Sequence, residues 1–230
     1  MPNELIWILF ALVNFSLLLL FYRLFGRTGL YVWIGMATVI ANIQVLKTVD
    51  LIGLTATLGN ILYGTAYLAT DIINEKHGKK EAKKAVWLGF ATLVTMTIIM
   101  QIALAFEPGA EDIAHDALAT IFSLIPRIVA GSLAAYMISQ YFDVWIYDKL
   151  RNLFPSDRQL WIRNNGSTVI SQFVDTIVFC TIAFYGTYPF DIWLEIFITT
   201  YVIKFAVAII DTPFMYIAKN MHVEKSNSTN

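Results

Sequence analysis

Seven apolar runs, each long enough to cross a bilayer, dominate this chain and leave little room for a soluble fold. They cover residues 5–22, 31–49, 51–73, 86–106, 128–145, 168–188 and 192–217, and one transmembrane helix needs about 20 apolar residues. Of the 230 residues 57% are apolar and only 14% charged, against roughly 25% charged in an ordinary soluble domain. A soluble domain of this composition would expose large apolar patches and aggregate. The single cysteine, Cys180, excludes a disulfide within the chain, and three histidines (His77, His115, His222) far apart in sequence exclude a finger-type metal site. The expected fold is an all-α polytopic membrane protein with seven spans.

The run at 5–22 has no basic residue ahead of it and no small-residue cleavage site behind it, so it reads as a retained helix and not a signal peptide. Between the second and third runs, Lys47, Thr48, Asp50 and Gly53 leave space for a tight turn only. Residues 117–150 would make a helix of about 50 Å, too long for a hydrocarbon core of about 30 Å. Pro126 is expected to break it, with a short outer helix at 117–125 and Arg127 opening the fifth span.

With seven spans, 13 of the 16 Lys and Arg fall on one side, and Glu4, Asp50, Glu107, Glu111, Asp112, Asp116 and Asp191 on the other. The positive-inside rule then places the N-terminus outside and the C-terminus in the cytoplasm. The polar end of the chain, 221–230, is expected to be a disordered cytoplasmic tail. The lysines at 76–84 read as a topology determinant. One echo recurs: Ser139-Gln140-Tyr141-Phe142-Asp143 and Ser171-Gln172-Phe173-Val174-Asp175.

Three basic residues lie off this map: Lys47, Arg127 and Lys204. Lys47 and Arg127 stand near membrane ends, where a long side chain reaches the interface. Lys204 sits about 18 Å into the last run, close to the midplane, where a charge costs about 2.5–3.5 kcal/mol and must face a partner or a wet cavity. Asp211 follows on the same face, and Asp175 lies inside the sixth run with Gln172 one turn away. Gln140 and Asp143 occupy the fifth run with Tyr136 a turn before, and Tyr63, Tyr67, Asp71 and Glu75 form a stripe at four-residue spacing on the third. At 1.5 Å per residue, Gln140 and Gln172 come to similar depths, about 9 and 13 Å from the inner boundary.

A cluster of carboxylates, amides and a cation walled by aromatics suits a small polar ligand. Each member is equally open to a structural role as a helix–helix hydrogen bond or ion pair, and Asp175 and Lys204 can simply pair with each other. The chain has no Gly-x-Ser-x-Gly, His-Glu-x-x-His or phosphate-binding Gly-x-x-x-x-Gly-Lys-Ser/Thr motif. No enzyme activity, cofactor, metal or nucleic-acid partner is expected.

Four blocks carry a resemblance. The first is Leu68-Ala69-Thr70-Asp71-Ile72-Ile73-Asn74-Glu75-Lys76-His77-Gly78-Lys79-Lys80-Glu81-Ala82. The second runs from Arg127 to Tyr136 and on to Ser139, Gln140 and Asp143. The third is Trp161-Ile162-Arg163 with Ser167, Thr168, Gln172, Asp175 and Thr176, and the fourth Lys204 with Thr212-Pro213. Over about residues 31–220 the chain resembles the bacterial queuosine precursor transporters, also named vitamin uptake transporters. Gly64 departs from the pattern, standing where that family often has proline.

The resemblance implies a six-helix core at 31–220 similar to the substrate-binding subunits of energy-coupling-factor importers, with an extra N-terminal helix at 1–30. It implies uptake of 7-deazaguanine precursors of queuosine across the bacterial inner membrane. The flat, purine-like ligand offers adjacent N–H donors and a carbonyl acceptor. On that basis Asp175, Gln172 and Gln140 are expected to bind its edge, with Asp71 and Asp143 next in line and Lys204 donating to the carbonyl or neutralising the carboxylates. Tyr63, Tyr67, Tyr136 and Phe173 are the candidate stacking partners. Beyond the small molecule and membrane lipids, the first helix has two readings: it joins the bundle, or it mediates a homo-oligomer. A binding subunit energised by another protein and a ligand-free membrane scaffold are the rival functions.

Overall fold

The computed structural model describes residues 1–154 and 160–221; within these, the side chains of Gln140, Asp143, Trp161, Arg163, Ser167 and Thr168 lie outside the description, as does the tail from His222. The elements run α1 (Asn3–Gln44), β1 (Thr48–Leu51), β2 (Leu54–Thr57), α2 (Asn60–His77), α3 (Lys79–Leu104), α4 (His115–Phe122), α5 (Ile125–Leu153), α6 (Leu160–Phe184) and α7 (Phe190–Asn220). Among the described residues, four helical stretches are long and apolar enough to cross a membrane: Asn3–Gln44, Lys79–Leu104, His115–Ser139 and Phe190–Asn220. The chain forms two compact units, one of residues 1–125 with the end of α7 from Ala206, the other of residues 126–205.

In the first unit α1 is two arms. Gly26, at φ 57° and ψ −140°, breaks the helix with a conformation that side-chain-bearing residues resist. Twelve residues of straight helix span about 18 Å, yet the rings of Phe21 and Trp33 meet at 5.5 Å. The arms are therefore antiparallel. Asn3 Nδ2 donates to the Asp50 carbonyl (2.9 Å), and the Ile52 N–H donates to Glu4 Oε1 (3.0 Å), tying the start of the first arm to the segment after the second. That N–H holds the Glu4 carboxyl below its ordinary range.

The first arm buries Ala11, Phe15, Leu18, Leu19 and Tyr22, a helical stripe, and the Phe15 ring stacks on Phe214 of α7 at 4.9 Å. The extra helix joins the bundle of its unit. The second arm holds α2 through the Trp33 indole, which donates to Thr65 Oγ1 (3.0 Å).

The boundary between the second and third apolar runs departs from expectation. The helix stops at Gln44, and residues 48–57 form an antiparallel hairpin in register Thr48↔Thr57 to Leu51↔Leu54, so α2 begins only at Asn60. Ile52 and Gly53 make its two-residue turn, both at positive φ (53° and 76°), as a hairpin of this length requires. Thr48, Val49, Thr55 and Thr57 are better strand than helix formers, which explains why a purely hydropathic boundary misplaces this segment.

At the Pro126 region, α4 ends at Phe122 and α5 starts at Ile125, with Pro126 in its first turn, where the missing N–H costs nothing. Asp112 Oδ1 accepts the N–H groups of Ala114 (2.8 Å) and His115 (3.0 Å) ahead of α4. Gln101 of α3 donates to the Phe122 carbonyl (2.7 Å), one of the groups left open at the end of α4.

The second unit joins α5, α6 and the first half of α7. Arg127 spends its guanidinium on the end of α6: Nε donates to the Ile182 carbonyl (2.6 Å), Nη1 to Thr187 Oγ1 (2.9 Å) and Nη2 to the Tyr185 carbonyl. Charge and hydrogen bonding here both complement the negative end of a helix. The Trp193 indole donates to the Cys180 carbonyl (2.9 Å), and Phe190, Trp193 and Phe197 stack along α7 with centroids 5.7 and 5.9 Å apart.

Candidate functional site

The strongest polar cluster lies in the second unit and combines three helices. Asp175 on α6 is 7% exposed. Lys204 Nζ on α7 donates to its Oδ2, and Ser139 Oγ on α5 donates to its Oδ1 at 3.3 Å. The pair is closed from solvent, with side-chain exposures of 12% for Lys204 and 10% for Asp175. Two charges removed from water need close pairing and further hydrogen bonds to repay their desolvation, and the Ser139 hydroxyl supplies one of these.

Gln172 stands one turn before Asp175. Its backbone carbonyl is taken by the Thr176 hydroxyl (2.7 Å), and its side-chain Oε1 is buried with no hydrogen-bond partner among the described residues. A buried acceptor left open costs about 1–3 kcal/mol. It is an opening for a donor that the described residues do not supply.

The expected site residues divide between the units. Asp175 and Lys204 pair, Gln172 stands on the same helix one turn before Asp175, and Tyr136 is half-buried on α5, its carbonyl (3.2 Å) sharing the single Ser139 hydroxyl hydrogen with Asp175. Gln140 and Asp143 are on α5, but their side chains lie outside the described residues. Asp71 and Tyr67 belong to α2 in the first unit, Asp71 exposed and Tyr67 half-buried.

Phe173 is two residues from Asp175 and hence about 200° around the helix from it. It is 43% exposed, and its ring edges contact Phe197 (5.7 Å) and Tyr201 (5.6 Å). Phe173 therefore packs on the far side of α6 from the carboxylate, which weakens it as a stacking partner for a ligand held there.

Two contributors escaped the sequence-based list. Ser139 opens the first copy of the echo, and the structure brings it onto the aspartate that closes the second. Lys76, in the middle of the Leu68–Ala82 block, donates to the Met221 carbonyl (2.8 Å) and lies 5.5 Å over the Tyr22 ring, while its neighbour Glu75 pairs with Lys219 at 3.0 Å. The signature loop thus fastens the last turn of α7 within the first unit. Only the clustering of charges at 75–76 and 219 hinted at this.

The four long apolar helices and an ion pair buried between α6 and α7 are consistent with an all-α membrane protein. The particular family follows from comparison. Residues 57–218 match the family described as "Putative vitamin uptake transporter". A Bacillus subtilis (strain 168) protein named "Probable queuosine precursor transporter" is 58% identical over 221 residues, 96% of each chain. The Escherichia coli (strain K12) "Queuosine precursor transporter" is 27% identical over 174 residues, 74% of this chain and 75% of that one. A Haemophilus influenzae (strain ATCC 51907 / DSM 11121 / KW20 / Rd) protein named "Probable queuosine precursor transporter" is 28% identical over 160 residues, 67% of this chain and 64% of its own. The chain belongs to this transporter family. No solved structure matches it.

Proposed function

We propose that this protein takes up a queuosine precursor, 7-cyano-7-deazaguanine or 7-aminomethyl-7-deazaguanine, across the bacterial inner membrane. The observation that carries this is the 58% identity along 96% of a relative that bears the name of such a transporter. The chain crosses the membrane seven times, the two arms of α1 counting separately, with its N-terminus outside and its C-terminus in the cytoplasm. Residues 31–220 form a core like that of energy-coupling-factor binding subunits. It works as a secondary transporter or facilitator by alternating access; its sequence has no nucleotide-binding loop, and a binding subunit energised by another protein is the rival, which transport by the reconstituted chain alone would exclude.

The Asp175 cluster supports an exchange mechanism at the binding site. Both carboxylate oxygens are engaged, by Lys204 and by Ser139. A deazaguanine edge presents two adjacent N–H donors that replace them and a carbonyl that takes the freed Lys204 donor. Gln172 Oε1, already without a donor, accepts a further N–H. A solute lacking that donor–donor–acceptor edge would leave a buried charge unpaired, a penalty of several kcal/mol. Tyr136, with Gln140 and Asp143 of the same helix, completes the proposed site.

One observation favours a second reading. A pair as closed as Asp175–Lys204 also serves as pure scaffold. The variants D175N and D175N/K204M separate the two. As a binding site, the doubly neutral variant reaches the membrane at normal abundance yet takes up no 7-cyano-7-deazaguanine. As scaffold, it regains uptake. Thermal shift with 7-cyano-7-deazaguanine, guanine, riboflavin and biotin then tests the substrate: a ligand at 100 times its dissociation constant adds about 2.7 kcal/mol. Stabilisation by a vitamin alone would reassign the substrate.

A further inference from the structure

The N-terminal end of α3 carries Lys79, Lys80, Lys83 and Lys84, all exposed. None of the four lies within ion-pair distance of a carboxylate among the described residues. The one acid in the stretch, Glu81, is turned away: the Tyr31 hydroxyl donates to it and Arg27 pairs with it at 3.4 Å. Those two groups, with Lys84 and Lys80 behind them, hold its carboxyl below the ordinary range. The four ammonium groups outnumber the one nearby carboxylate and present net positive charge at the membrane boundary. Trp87, one turn on from Lys83, is 70% exposed, the placing of an aromatic at headgroup depth.

Below the tryptophan, Leu88, Ala91, Thr95, Met96, Ile99 and Met100 of α3 line a shallow, largely open groove of about 490 Å³. Its wall is almost entirely apolar, and the Thr92 hydroxyl is spent on the Leu88 carbonyl (2.8 Å). Lys80, Lys84, Leu88, Ala91, Thr95 and Ile99 follow one another at steps of three or four residues, so charge and groove share one helix face. From Leu88 to Met100 the groove runs about 18 Å, against about 15 Å for one leaflet of the hydrocarbon core.

We propose that this face of α3 is a binding site for one anionic phospholipid, its phosphate held by Lys80, Lys83 and Lys84 and an acyl chain lying in the groove. Charge selects the headgroup: a phosphodiester bearing net negative charge gains from the lysines, and a zwitterionic lipid cancels its own gain. Groove length selects a lipid over a free anion. The site rests only on the chain spanning a membrane and is independent of the substrate assignment.

The test is thermal shift of the full chain in neutral detergent with phosphatidylglycerol, phosphatidylcholine of the same chains, or inorganic phosphate. Saturating phosphatidylglycerol should raise the melting temperature by about 5–10 °C, phosphatidylcholine and phosphate far less. The variant K80Q/K83Q/K84Q should lose the difference between the two lipids. Should that variant fail to insert, A91W blocks the groove with every lysine intact and should lose the shift as well. Equal shifts from the two lipids, the full shift from phosphate alone, or an undiminished shift in A91W would each overturn the proposal. So would a change of oligomeric state in A91W with no lipid effect in the parent, which would give the groove to a second copy of the chain.

Discussion

Helix α7 carries two lysine–carboxylate pairs fifteen residues apart, and they differ in nearly everything but chemistry. Lys204–Asp175 is buried, with side-chain exposures of 12% and 10%, and shares its carboxylate with Ser139. Lys219–Glu75 is half in solvent, at 58% and 48%. Water screens the second pair and leaves it little net worth. The first has no water to fall back on, so either partner alone becomes a liability. An ion pair set deep in an apolar helix is therefore a commitment that only a further donor or acceptor can relax, whereas one at the helix end is a convenience.

The comparison breaks most sharply at the buried pair. K204M leaves Asp175 buried with only Ser139, and should cost about 3–5 kcal/mol. In detergent this appears as a large loss of melting temperature, and most of it should return in D175N/K204M. If K204M melts like the parent, the pair is solvated and the contrast between the two ends of α7 fails.

The second test asks what holds the exposed end if charge does not. Gly64 of α2 faces Val207 of α7 so closely that a Cβ placed on Gly64 would run into the valine Cγ1. G64A should cost about 1–3 kcal/mol by overpacking, more than loss of Glu75 or Lys219. A neutral G64A would mean that Val207 yields freely and that packing is not what secures this half of the helix.

Legibility in the sequence followed the same divide. Lys204 stood out because a charge in the middle of an apolar run has no ordinary reason to be there, and Asp175 stood out equally. Their partnership with each other was one of two readings until the structure joined them. Lys219 looked like a topology residue, because charges at helix ends are commonplace, and Glu75 read as the last member of the stripe with Tyr63, Tyr67 and Asp71. Ser139 went unnoticed as a ligand of Asp175 since a buried serine on a membrane helix usually bonds its own backbone, as it also does here with the Tyr136 carbonyl. The helices were readable from hydropathy, but the hairpin at 48–57 was not, because its residues are as apolar as the spans they separate. The break at Gly26 was legible only as a gap between two runs; the antiparallel return of the arms needed the Phe21–Trp33 and Asn3–Asp50 contacts.

Lys76 offers an intermediate case between the two pairs. Its ammonium group donates to the Met221 carbonyl and sits over the Tyr22 ring, a hydrogen bond and a cation–π contact at a half-buried site. K76Q keeps a donor and loses the charge, so it should cost about 1 kcal/mol. K76M removes both and should cost more. Equal effects would show that the ring contact, not the carbonyl, fixes the end of α7.

The smallest effect belongs to the exposed pair itself. E75Q removes the charge from a contact of 3.0 Å in which both side chains are about half exposed. Pairs of this kind contribute about 0.2–1 kcal/mol, and the Debye length shrinks from about 10 Å at 0.1 M salt to about 3 Å at 1 M. The loss in E75Q should therefore be small at low salt and vanish in 1 M salt, while the loss in K204M persists at both. A salt-independent cost for E75Q would place Glu75 in a drier setting than its exposure indicates. The two pairs of α7 would then differ in degree and not in kind, and the signature block around Glu75 would have to be regarded as part of the transport machinery and no longer as a fastening.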